Sequence, residues 1–159
     1  MKQAPDWKEI RERMRPGRLT RDGMLGNDAR SLEEIIDADA ATLGRLGVSR
    51  HDVASRLRMI SLRARNALGT PVEIGPEFEA WMDEGMGRIS CPFGHPGRLA
   101  KGVTYLRHRP TGRVLQWSDL GVHMIEEHGF FEGTGSSFRL EPEEIIRLPG
   151  VAPPTLPLG

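Results

Sequence analysis

Two short stretches hold the side chains best suited to metal chemistry: "CPFGH", with Cys91 and His95, and "HMIEEH", with His123 and His128. Thiolate and neutral imidazole are the donors zinc favours, and four of them converging in a tetrahedron close its coordination shell. Cys91, His95, His123 and His128 are therefore the candidate ligands, with His108 as a substitute. Zinc suits this set better than magnesium or calcium, which take oxygen donors. If three of these residues bind, one coordination position stays open. Such a site activates water, with Glu126 or Glu127 as base, and the chain would be a small zinc-dependent hydrolase. The spacing is neither that of an H-E-x-x-H metalloprotease helix nor its inverse.

The same residues admit a packing role. On a regular helix, side chains five apart point about 140° away from each other, so His123 and His128 converge only if the last turn, next to Gly129, tightens or opens. In the packing reading His128 faces the apolar side made by Leu120, Val122, Met124 and Ile125, and His123 lies exposed beside Glu126 and Glu127. A single cysteine forms no internal disulfide. Beside His95 it is also open to a thiolate–imidazole pair. In arrangement, a Cys/His turn followed by a hairpin and a helix with two ligands resembles zinc-finger and treble-clef-like modules. The departures are one cysteine where two to four are usual, and about 27 residues between the ligand pairs where a small finger has about a dozen.

The elements that must position these residues read as an α+β chain. Residues Trp7 to Met14 form a short amphipathic helix stopped by Pro16 and Gly17, and the rest of residues 1–30 is an expected partly mobile connection. "SLEEIIDADAATLGRLG" carries a capping box, Ser31 with Glu34, an apolar side of Leu32, Ile35, Ile36, Leu43 and Leu46, and a stop at Gly47. Ser49 caps a second helix whose stripe is Val53, Leu57, Ile60, Ala64 and Leu68, ending at Gly69. Strands follow: "EFEAWMDE", "GRISCP", and "GVTYLRHRPTGRVLQW" as a hairpin turning at Pro110-Thr111-Gly112. A helix over 118–128 comes next, then the loop "EGTGSS", a strand "FRL" and a helical turn from Pro142 to Arg147. The loop's small residues with Arg139 make a weak anion cradle, and a flexible connection fits them better. The organisation is thus 1–30, a helical pair over 31–69, an α+β module over 70–147 holding the candidate metal site, and a Pro-rich tail over 148–159.

"DAATLGRLGVSRHDVASRLR" resembles the helix-turn-helix unit of bacterial regulators, with Leu46, Gly47 and Val48 at the turn and Val53 and Leu57 seating the second helix. The resemblance covers about twenty residues and implies contact with DNA through Arg50, His51, Ser55, Arg56 and Arg58, at the start of the reading helix. Leu43 departs from the pattern, which prefers a small residue where the helices cross. The alternative is a plain helical hairpin whose arginines are solvated or pair with the acidic segments on either side.

Charge bears on that choice. The 22 basic and 22 acidic residues of the 159 cancel, which excludes a strong overall field for nucleic acid, so a DNA contact would call for a homodimer or the basic N-terminus. Charges alternate in blocks: Cys91 to Trp117 holds Arg98, Lys101, Arg107, Arg109 and Arg113 and no acid, whereas 66–90 holds Glu73, Glu77, Glu79, Asp83 and Glu84 against Arg88. Such blocks usually neutralise one another within one fold. No apolar run is long enough to span a membrane and the N-terminus has no secretory pattern, so a cytoplasmic location is expected. The sequence thus favours a binding or regulatory protein with a zinc site and a DNA-contacting helix pair. A zinc hydrolase and a metal-free protein-interaction module are the alternatives.

Overall fold

The three longest helices begin where a side chain replaces the missing hydrogen bond of a first turn. In the computed structural model, which describes residues 5–148, the order is α1 (Trp7–Arg13), α2 (Leu32–Leu46), α3 (Arg50–Asn66), β1 (Val72–Ile74), β2 (Phe78–Ser90), β3 (Arg98–His108), β4 (Val114–Ser118), α4 (Asp119–His128) and α5 (Pro142–Ile145). Ser31 and Glu34 form the capping box of α2, Ser49 accepts from the Asp52 N–H at the start of α3, and Ser118 accepts from Gly121 at the start of α4. Left-handed Gly47 and Gly129 close α2 and α4. Helix α3 stops three residues before Gly69, and Leu68, placed in its stripe by the sequence, is 90% exposed. Among the described residues no helix is long and apolar enough to cross a membrane.

The strands form one antiparallel meander in the order β1-β2-β3-β4. The two strands expected from "EFEAWMDE" and "GRISCP" are one, β2, bent by a register shift between Gly85 and Arg88 where the glycines interrupt the alternation. Strand β1 comes from "TPVEIGP", too short to show a period. The inner face of the sheet offers Ala80, Met82, Thr104, Leu106 and Trp117 to α3 and α4. Its buried polar groups satisfy one another. The Trp117 indole N–H donates to Ser61 Oγ at 2.8 Å, and that hydroxyl lies 2.8 Å from Thr104 Oγ1, linking α3 to β3 and β4.

A second apolar cluster gathers Ile10, Met14, Met24, Leu32, Ile35, Cys91, Leu120, Met124 and Phe130. It holds the connection that the sequence suggested was mobile: Met24 is 2% exposed, its N–H donates to Met14 O, and its carbonyl accepts from Gly133 N–H. The loop over 129–140, whose stretch "EGTGSSFR" reads from sequence as flexible, is the partner of that segment. A Cβ on Gly133 would overlap the backbone of Leu25, so only glycine permits the approach. The "FRL" segment is not a strand. Arg139 is no anion cradle, because its guanidinium is spent on a buried ion pair with Asp39, 2.7 and 2.8 Å, and on Glu141. The Pro-rich tail, from residue 149 on, lies outside the described residues.

Glu132 in this loop is 6% exposed, has a left-handed φ of 72°, and accepts a 2.7 Å hydrogen bond from Ser136 Oγ. Burial pushes its carboxyl up to about 7. A carboxyl raised in the fold contributes stability that is full below its unfolded pKa, near 4.5, and is lost as pH rises through about 7. Glu132→Gln should therefore gain stability relative to wild type between pH 5 and pH 8 by up to about 3 kcal/mol. Urea midpoints of the two proteins that run parallel across that range would refute this.

The charge blocks resolve into internal pairs. Arg65 binds Glu84 and Asp119, Arg107 binds Glu79, Arg109 lies 3.4 Å from Glu73, and Arg113 holds Glu144 at 2.7 Å. The basic hairpin is thereby neutralised by β1, β2 and α5. Exposed pairs of this kind stabilise little, but they cancel the local field.

Candidate metal centre

Cys91 follows the last residue of β2, and Pro92, Phe93 and Gly94 turn the chain back tightly, with the Gly94 N–H donating to Cys91 O at 3.1 Å. The backbone N–H groups of Phe93 and His95 point at the buried Cys91 sulfur. N–H dipoles aimed at a sulfur favour its thiolate form, the form that ligates metals. Burial outweighs them and holds the Cys91 thiol above its ordinary pKa.

The end of α4 closes on this turn. The ligating atoms of Cys91, His123 and His128 all lie within 4.8 Å of one another, so this group can hold a metal ion. The His123 and His128 ring centres are 5.6 Å apart, although the helix continues regularly through His128. Spacing along a helix fixes only the directions of the Cβ atoms. Each histidine has two rotatable bonds beyond that, enough for both rings to reach a common point on the side of the helix. Phe93 holds one of them in place, stacking on His128 at 4.1 Å between ring centres and 11° between planes.

His95 lies beside this group and is not part of it: it is exposed, with its ring centre 4.8 Å from His123 and 6.0 Å from His128. The substitute ligand named from sequence, His108, is elsewhere. Its two nitrogens face Thr111 and Glu77 at 2.8 and 3.0 Å on the β3–β4 hairpin.

Both α4 histidines are half-buried, and burial, followed by their imidazole neighbours, lowers their proton affinity, to a pKa of about 4 for His128. They are thus neutral near pH 7 and have lone pairs to offer. His123 Nε2 is buried with no hydrogen-bond partner. An orphaned imidazole nitrogen next to a buried sulfur is what a packing histidine avoids and a ligand requires. Sequence missed Phe93 and the sulfur-directed N–H groups; the aromatic residue between Cys91 and His95 was the available signal.

Of the proposed DNA contacts, Arg50, His51, Ser55 and Arg58 are exposed and Arg56 is half-buried. The first turns of α3 lie against the end of α4: Arg58 Nη2 is 2.7 Å and His51 Nδ1 3.2 Å from Glu126, and Arg50 borders Gly129. The hydrogen bond from Arg58 holds Glu126 below the usual carboxylate range, which removes it as a ready base. Glu127, exposed, shares a cleft with His128, Arg50 and Trp7. No protein-family model matches this chain, and comparison with curated proteins and with solved structures returns no match.

Proposed function

We propose that this chain is a zinc-binding module in which Cys91, His95, His123 and His128 surround a structural ion. The observation that carries the reading is the 3.5 Å separation of Cys91 Sγ and His128 Nε2. Ligands at about 2.3 and 2.0–2.1 Å from one tetrahedral ion stand about 3.5 Å apart, so sulfur and nitrogen already sit at the edge length such an ion needs. The unpartnered His123 nitrogen would supply a third corner, and His95, exposed beside it, the fourth. A fourth donor from His95 would close the site, and a closed shell serves a structural role rather than hydrolysis. The ion would pin the β2–β3 connection to the end of α4, and α1 rests on the same connection through the 2.7 Å bond from Arg13 Nη1 to Pro92 O. A binding or regulatory protein built around such a pin is the coherent reading. DNA contact through α3 has less behind it, because Arg58 and His51 share their surface with Glu126.

Element analysis of purified protein tests the site. About one zinc per chain is expected, and Cys91→Ser or His128→Ala should bring it below about a tenth, since each removes a ligand from a four-donor shell. Wild-type protein that takes up no zinc on dialysis against micromolar zinc chloride would end the proposal.

A further inference from the structure

A cavity of about 320 Å³ lies away from the metal centre, between the 19–24 connection, the ends of β2 and β3 and the 129–140 loop. Its lining includes the apolar Leu19, Met24, Ile89, Leu120 and Phe138. Glu132 is on that lining, with Ser136 as its hydrogen-bond partner. Among the described residues no arginine, lysine or histidine forms an ion pair with Glu132. Arg139, the nearest in sequence, reaches only its backbone carbonyl and gives its charge to Asp39 and Glu141. Thr20 is on the same lining, and its Oγ1 is buried without a hydrogen-bond partner.

Three independent costs therefore meet at this cavity: a buried carboxyl with no counter-cation, a buried hydroxyl with no partner, and a side-chain-bearing residue held at a φ of 72°. Buried polar groups are ordinarily satisfied, and backbone strain in a residue other than glycine persists where the surroundings impose it, commonly at ligand sites. A ligand that satisfied these groups would bring a cation with N–H donors to the carboxyl and hydroxyl and an apolar body to the hydrophobic part of the lining. Cavities of this size and lining take small molecules of that kind.

We propose that this cavity binds a small amphipathic amine, its ammonium group on the Glu132 carboxylate and within reach of the Thr20 hydroxyl, its hydrocarbon part against Leu120 and Phe138. The inference is independent of the metal reading, since no candidate ligand lines this cavity. Arg21, Asp22 and Lys101 also stand at this cavity.

The probe is 3-methylbutylamine, titrated into the full chain by ligand-observed NMR, with 3-methylbutanol as a control of like shape and no charge. The amine should bind at least tenfold more tightly than the alcohol. Glu132→Gln, which keeps shape and loses charge, should remove that preference. Thr20→Val, which deletes a hydroxyl the protein itself does not use, should weaken the amine at least threefold with an unchanged circular dichroism spectrum. The proposal is overturned if the amine binds no better than the alcohol to wild type, or if neither variant weakens it.

Discussion

Replacing Arg139 with leucine should cost the fold about 3–5 kcal/mol, the penalty for stranding a buried carboxylate after its partner is removed. Arg139 and Asp39 are 8% and 6% exposed, and the guanidinium meets both carboxylate oxygens in a fork, at 2.7 and 2.8 Å. The same guanidinium donates to Glu132 O at 2.8 Å and to Glu141 at 2.9 Å, so it ties α2, the 129–140 loop and the start of α5 together. Asp39→Leu should cost a similar amount. The double variant should recover most of the loss, because no charge is then left unpaired in the interior. Urea denaturation of the three variants measures this cycle. Single variants within about 1 kcal/mol of wild type would show that water reaches the pair and screens it as it screens surface bridges.

That ion pair also marks where sequence stops being legible. Asp39 and Arg139 are 100 residues apart, and nothing local to "EGTGSSFR" announces a carboxylate arriving from α2. Read alone, a loop of small residues with one arginine looks mobile and anion-seeking. Its order comes from Met24, Leu25 and Asn27, which pack on Gly133 and Gly135 across more than half the chain. Features set by neighbours three or four residues away were legible: the Ser31/Glu34 capping box, the Ser49 cap, the Gly47 and Gly129 stops and the turn after His108. Strand β2 fell between the two cases, since Gly85 and Gly87 read as a break while pairing with β3 carries it through.

The candidate metal centre divides along the same line. Cys91 and His95 were legible as a turn because proline and glycine between them fix its shape locally. The convergence of His123 and His128 on it was not, since it depends on the β2–β3 connection lying against the end of α4. The charge blocks were legible as self-neutralising, and the pairs Arg107–Glu79, Arg65–Glu84 and Arg113–Glu144 are of that kind. Which acid meets which base required the sheet register.

If zinc occupies the centre, stripping it should lower the melting temperature by about 8–16 °C. An ion held at a thousand times its dissociation constant stabilises by about 4 kcal/mol. In a chain of this length each kcal/mol moves the melting temperature by about 2–4 °C. The loss should be uneven. Cys91 belongs to the apolar cluster of Ile10, Met14, Met24 and Phe130, and Arg13 and Phe93 fasten α1 and His128 to the turn that the ion would hold. The sheet and α3 have their own cluster, closed by the Trp117–Ser61–Thr104 network. Amide exchange after chelation should therefore speed up at α1, the β2–β3 connection and the last turn of α4 well before it does at β3 or the middle of α3. A melting temperature that shifts by less than about 2 °C, a gain of under about 1 kcal/mol, would mean that the four residues are placed by packing and that any ion there is adventitious.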